Sequence, residues 1–193
     1  MVNFHDLVEA ARTCRRFVGS SPLSMRDLEA LTDCARLSPC GRNAQELRFA
    51  LIATPEGCAE VYPLLGWAAA LKDWGGPIPE ERPTGYIIIL APEAVSATQG
   101  IDIGIAMQSI NLAAVHRGWG CCAIATFPPK KLADLIGCPA GYKVGLVLAL
   151  GVAKEVRCVE NVPAGSPLTY FRDANAVHHV PKVNLEDLIV VRR

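Results

Sequence analysis

The sequence predicts a single domain that mixes helices with strands, on three observations. Its 193 residues make one domain of ordinary size, long enough for a proper core. Hydrophobic residues are 51% of it and charged residues 20%, a globular rather than a disordered composition. Its apolar residues also change period along the chain: stretches with helical spacing are separated by short continuous apolar runs that read as buried strands.

Taken in order, Asn3 to Arg12 carries Phe4, Leu7, Val8 and Ala11 at helical spacing, a short amphipathic helix. Ser24 to Leu37 is a second helix, with Ser24 as N-cap, Asp27 three residues on, and an inner face of Leu28, Leu31 and Cys34/Ala35. Leu47–Ala53 and Tyr86–Ala91 read as buried strands, with a short helix over Gly57–Leu64 between them. Residues 72–85 form a long loop, and loops of that length inside compact domains usually act as lids or binding loops.

Thr98 to Arg117 is the longest helix expected, about 30 Å if fully formed. Its apolar residues, among them Ile101, Ile105, Ile110 and Val115, fall on every face, which calls for a subunit interface as well as a core. Gly118 ends it. Cys121–Ala125 is a short strand, Pro128–Ile136 a helix with Pro at its start, and Tyr142–Val152 a strong interior strand. Glu160 to Pro181 has no sustained periodicity, and Leu185–Val191 turns apolar again. Residues 160–193 therefore read as an arm ending in a strand-like segment that could wrap over a second subunit.

Acidic and basic residues balance at nineteen each, which supports neither a nucleic-acid nor an acidic-membrane partner. The N-terminal residues lack the pattern of a signal peptide and no apolar run is long enough to span a bilayer, so a cytoplasmic protein is expected. The eight cysteines contain no Cys-x-x-Cys pair. Such spread thiols read as small core residues in a reducing compartment, and no metal site is expected.

Four segments carry polar chemistry. In Ser38 to Phe49, a Pro and a Gly precede two amides, Asn43 and Gln45, which can donate and accept at a heteroaromatic ring edge or simply decorate a turn. Arg12-Thr13-Cys14-Arg15-Arg16-Phe17 closes the first helix with three guanidiniums and a hydroxyl, suited to phosphate or to the helix dipole. Gly118-Trp119-Gly120-Cys121-Cys122-Ala123 formally matches a dinucleotide fingerprint, but a helix precedes it and a strand follows, so only close backbone approach to a flat ligand remains. His178-His179 reads as surface histidine, and Lys182 as an anion partner or a solvated charge. Nucleophile elbow, Walker loop and paired carboxylates are all missing.

In this order, the pieces resemble the nitroreductase family of FMN-dependent flavoproteins over nearly the whole chain. Ala11 to Phe17 matches its opening Arg-rich motif, and Pro39-Cys40-Gly41-Arg42-Asn43-Ala44-Gln45 its Pro-Ser-x-x-Asn-x-Gln. Asp102 to Gln108 matches Asp-x-Gly-x-Ala-x-Gln, residues 118–122 its Gly-x-Gly-x-Cys turn, and Tyr170 to Asp173 with His179 to Lys182 the tail of one smaller branch.

The resemblance implies an α+β fold with a central, mostly antiparallel sheet surrounded by helices, in an intertwined homodimer that exchanges C-terminal arms. It implies FMN in each interface cleft, with Arg12, Thr13, Arg15 and Lys182 from one subunit and Pro39, Cys40, Gly41, Asn43 and Gln45 from the other. Cys122, Ala123, Ile124 and Ala125 would lie near the isoalloxazine, offering backbone N–H groups to the reduced ring.

NADH or NADPH would give hydride to flavin N5, and a nitroaromatic, quinone or similar small molecule would accept it, in ping-pong order. No side chain is then expected to be catalytic, while Trp67, Trp74 and the 72–85 loop are candidates for shaping the substrate pocket. Redox sensing through Cys121-Cys122, reductive dehalogenation and ene reduction are the alternatives. Ala11, Cys40 and Val183 depart from the family pattern and are expected to weaken FMN binding without abolishing it, with Arg12 and Arg16 compensating.

Overall fold

The computed structural model describes residues 3–71 and 73–193. Its centre is a four-stranded antiparallel sheet in the order β1-β2-β4-β3, formed by β1 (Arg48–Ile52), β2 (Gly85–Pro92), β3 (Trp119–Ile124) and β4 (Tyr142–Val152). β2 and β4 are central, covered on both faces, which is why each reads as a nearly unbroken apolar run. Their side chains alternate between two cores. Ile87, Ile89, Leu148 and Leu150 pack with Leu28 and Leu31 of α2 (Met25–Arg36) and Ile110 of α4 (Gln99–His116). Tyr86, Ile88, Val147 and Ala149 pack on the other face with Val61 of α3 (Pro55–Val61) and Leu132 of α5 (Pro129–Leu135). Helices thus flank the sheet on both sides in an α+β architecture.

Local chemistry accounts for the element ends. Ser24 caps α2 in a full capping box, accepting from Asp27 N–H while the Asp27 carboxylate accepts from Ser24 N–H. α3 starts two residues earlier than its apolar spacing suggests, because Thr54 caps it and Pro55 occupies the first helical position. Pro63 then turns the chain into a 3-10 turn over Tyr62–Leu64. Gly118, at φ +77°, ends α4 in the left-handed conformation. Gly120 is required by close approach: a Cβ there would lie 2.5 Å from Cys14 Sγ.

Two expectations about the tail change, and two helices leave apolar surface uncovered. α4 buries only one stripe within the chain, Asp102, Ala106, Ile110 and Ala114 at four-residue steps, and Ile101 is 61% exposed. α1 (Phe4–Ala10) likewise buries none of its apolar face fully. The aperiodic tail holds a second sheet in the order β5-β7-β6: β5 (Arg157–Val162), β6 (Phe171–Arg172) and β7 (His178–Val183). β5 and β7 run parallel, and β6 pairs antiparallel with His178 and His179. Leu185–Val191 is not strand-like: α6 (Leu185–Leu188) is a single helical turn, with Ile189 N–H donating to Leu185 C=O at its end.

Lys72 of the expected lid loop lies outside the described residues. The far half of that loop is anchored, since Phe17 N–H donates to Glu81 C=O and Gly19 N–H to Glu80 C=O. The Glu81 carboxylate, itself buried, pairs with Arg16 at 2.5 Å and Lys154 at 2.9 Å. No described helix is long and apolar enough to cross a membrane.

Candidate functional site

The residues after α1 leave the helix and run under the edge of the four-stranded sheet, held by Cys14 N–H donating to Cys121 C=O at 2.9 Å. This turn opens a cavity of about 310 Å³ lined by Arg12, Thr13, Arg15, Ala123 and Lys182, five of the expected cofactor residues. Ala11, Gln108, Asn111, Tyr170 and His178 complete much of its wall. Three cationic side chains therefore face one space with no Asp or Glu in its lining.

Arg15 is the most constrained of them, at 8% exposure. Its backbone N–H donates to the buried Glu155 carboxylate at 2.8 Å, and Glu155 also pairs with Arg172 at 2.5 Å. Its guanidinium stacks 4.5 Å from the Tyr170 ring centroid and donates to His178 Nε2 at 3.1 Å. Arginine has no acceptor, so His178 must accept through Nε2 and carry its proton on Nδ1. Burial holds the His178 pKa below the ordinary imidazole value, with Arg15 and Arg172 acting in the same direction and Glu155 opposing them. That agrees with the neutral tautomer.

His178 is thus no surface histidine, against the sequence expectation: it is 1% exposed, because one face of β7 turns inward. The alternation at His178, Val180 and Lys182, all lining the cavity, was the available signal. Arg16 does not join this group. It pairs instead with Glu81 and does not line the cavity, so the compensation expected of Arg16 has no footing there.

Three buried polar atoms around the cavity have no partner among the described residues: Arg12 Nε, Asn111 Oδ1 and His178 Nδ1. Buried polar atoms in native proteins are nearly always satisfied, so two donors and an acceptor left open at this wall are groups that a polar ligand could satisfy.

A second cavity of about 230 Å³ shares Arg15, Ala123 and Tyr170 with the first and is lined further by Trp67, Cys122, Ile124 and Ala125. The Cys122 and Ile124 side chains belong to the core, so only their backbones can face a ligand. β3 is the outer strand of its sheet. Cys121 C=O points to the free edge, where it meets Cys14, so Ala123, two residues on, presents its own N–H on that edge. Trp74 lies apart from these cavities, stacked 4.9 Å from the Arg172 guanidinium carbon.

The other expected group is elsewhere. Pro39, Cys40 and Gln45 line a cavity of about 300 Å³ between α2 and α4, together with Asp102. Gly41 N–H donates to the Asp102 carboxylate at 2.8 Å, and a Cβ at Gly41 would lie 2.7 Å from Thr98 Oγ1. Arg42, Asn43 and Gln45 all adopt positive φ, at 53°, 55° and 51°. Three left-handed non-glycine residues in four positions are costly, and such strain collects at ligand-binding loops. Asn43 and Gln45 are exposed. Within one chain this loop and the cationic cavity are separate sites.

The sequence model of the nitroreductase family matches residues 8–152, a span that covers the first arginine cluster, the strained loop, α4 and the β3 edge. The chain belongs to the nitroreductase family. Solved structures of that family share its fold. A nitroreductase family protein from Clostridium novyi NT has a TM-score of 0.65 at 22% identity, covering 79% of this chain and 86% of that one. An FMN-dependent nitroreductase from Clostridium difficile R20291 has a TM-score of 0.61 at 18% identity, covering 77% and 87%.

In sequence, Protein DrgA of Synechocystis sp. is 40% identical over 54 residues, 28% of this chain and only 26% of DrgA's own length. The nitroreductase family match ends at the last residue of β4. Tyr170, His178 and Lys182 therefore reach the cavity from a part of the chain outside it.

Proposed function

We propose that this member of the nitroreductase family is an FMN-dependent oxidoreductase that works as a homodimer. Family membership supports flavin oxidoreductase chemistry in general. The observation that carries the FMN reading is the cavity with three cations, no lining carboxylate and orphaned buried polar atoms at its wall. An FMN phosphate fits that donor set.

Arg12, Thr13, Arg15 and Lys182 hold the phosphate end in this reading. Arg15 is pre-aimed by Glu155 behind its backbone and Tyr170 against its face, so little side-chain entropy is lost on binding. The Ala123 N–H at the β3 edge, with Cys122, Ile124 and Ala125 beside it, serves the ring, and Trp67 walls the adjoining space and excludes water. The loop bearing Pro39, Cys40, Gly41, Asn43 and Gln45 serves the site of a second subunit, which accounts for strained, exposed amides with no use inside one chain. Bound FMN supplies the redox centre that takes hydride from NADH or NADPH and reduces a nitroaromatic, quinone or similar acceptor. If donor and acceptor occupy the same space in turn, the kinetics would be ping-pong.

The thiols at the site give no support to redox sensing. Burial pushes Cys122 up to about 12 and raises Cys121 further, so both stay protonated and unreactive at neutral pH. The deciding experiment is a visible spectrum of the purified protein, then anaerobic titration with NADH and NADPH. Flavin bands that bleach stoichiometrically are expected. Protein that purifies without flavin and takes none up overturns the reading.

A further inference from the structure

β7 has a second face. His179 points away from the cationic cavity, toward a cluster on the other side of the small sheet. Its Cα partner across the parallel pair is Cys158, and Glu160, two residues along β5, lies on the same face. His179 Nδ1 is 3.3 Å from Cys158 Sγ and 2.5 Å from Glu160 Oε1. All three donor atoms lie within 4.8 Å of one another and none of the three residues is fully buried.

We propose that Cys158, His179 and Glu160 form a zinc site, with a fourth position open to solvent. One thiolate, one imidazole and one carboxylate form a borderline donor set that suits a tetrahedral divalent ion, zinc above all. With bonds of roughly 2.0–2.3 Å, tetrahedral donors sit about 3.3–3.8 Å apart. The Cys158–His179 separation already matches, and the Glu160 side chain, 40% exposed, has room to open.

The surroundings are arranged as they are around metal-bound histidines. Nε2 lies 3.2 Å from Asp173 Oδ2, an ion-pair distance at which no aligned hydrogen bond forms. Asp173 is itself fixed, its Oδ1 accepting from Asn175 N–H and Val177 N–H at 2.9 and 2.8 Å. A carboxylate on the far imidazole nitrogen sets the tautomer that leaves Nδ1 as the ligand. Phe171 stacks on the ring at 4.7 Å between centroids, limiting its swing. An imidazolium between two carboxylates would need no thiol; Cys158 adds a soft ligand at the same nitrogen.

Binding displaces the thiol proton of Cys158 and any proton on Nδ1 to solvent, with no change of oxidation state. One thiolate and one carboxylate neutralise Zn²⁺. The ion would clip β5 to β7 and so brace the strand whose opposite face reaches the cavity.

The test is zinc titration of chelator-stripped protein against a competing chromophoric chelator, with X-ray absorption at the zinc edge. One Zn²⁺ per chain with a single sulfur neighbour is expected. Cys158→Ser and His179→Asn should each weaken binding at least tenfold, Asp173→Asn by ~10–100-fold, and Cys34→Ser not at all. Glu160→Gln keeps the size and shape of a partly exposed side chain, so it reads the site even if Cys158→Ser or His179→Asn misfolds, and it should also lose affinity. No uptake by the native protein, a sulfur-free coordination shell, or native affinity in Cys158→Ser or Glu160→Gln overturns the proposal.

Discussion

Arg15 and Arg16 are neighbours with opposite tasks, and that contrast yields separable predictions. Arg15→Ala removes charge-assisted hydrogen bonds from the cavity and should weaken FMN binding ~10–100-fold, about 1.5–3 kcal/mol, read as a dissociation constant by flavin fluorescence. Arg16→Ala should leave that constant nearly unchanged and lower stability instead, because Arg16 serves Glu81.

The Arg16 hydrogen bonds hold the Glu81 carboxyl down to about 2, well below its ordinary 4.5, with Lys154 helping. A carboxyl depressed in the folded state contributes stability above pH about 4.5, and that contribution fades as pH falls from 4.5 toward 2. Glu81→Gln should therefore flatten that acid limb in melts taken across pH. At neutral pH it should cost ~3 kcal/mol, the low end for a broken buried ion pair, because Arg16 and Lys154 keep contact with water. An unchanged acid limb would show that the pair does not act as described.

Among the elements, α2 shows how far local sequence reaches. Its cap and inner face are legible in Ser24, Asp27, Leu28 and Leu31, and the fold bears them out. Ser24→Ala should destabilise the protein by about 1 kcal/mol, measured by denaturant midpoint at constant slope. β2 and β4 were equally legible, since an unbroken apolar run implies cover on both faces.

The tail sheet was not. β6 is two residues long and β5 and β7 pair across some twenty residues, so neither period nor turn chemistry announces them. The same gap hid His178, whose role depends on which face of an unrecognised strand it occupies. The arginine cluster and the β3 edge were readable as motifs, whereas the buried Glu155 and Tyr170 that aim Arg15 come from distant segments that only the fold joins to it. The left-handed run from Arg42 to Gln45 was foreshadowed by Gly41 and Asn43 alone.

For the molecule as a whole, unspent apolar surface is the dominant fact. Phe4, Ile101, Leu185, Leu188 and Val191 are all exposed, and Val190 is 92% exposed. Large apolar side chains left exposed in such number are suited to an interface. In the dimeric reading, they and the strained loop find their partners together, so flavin affinity and dimer affinity are linked. Dilution through the dimer dissociation constant, followed by sedimentation and flavin fluorescence, should release FMN as monomer appears. Flavin retained on a true monomer would sink that linkage.

β7 places His178 and Lys182 on one side and His179 on the other. Adding one residue to the turn over residues 173–177 would invert that assignment, sending His179 toward the cavity and His178 toward Cys158. The two cores would be untouched, so such a chain would still fold and yet misplace both groups of ligands at once. Tolerance to length change should therefore fall sharply on crossing from the loop at 163–170, where insertions stay local, into this turn, where the alternation of a single strand acts as a reading frame.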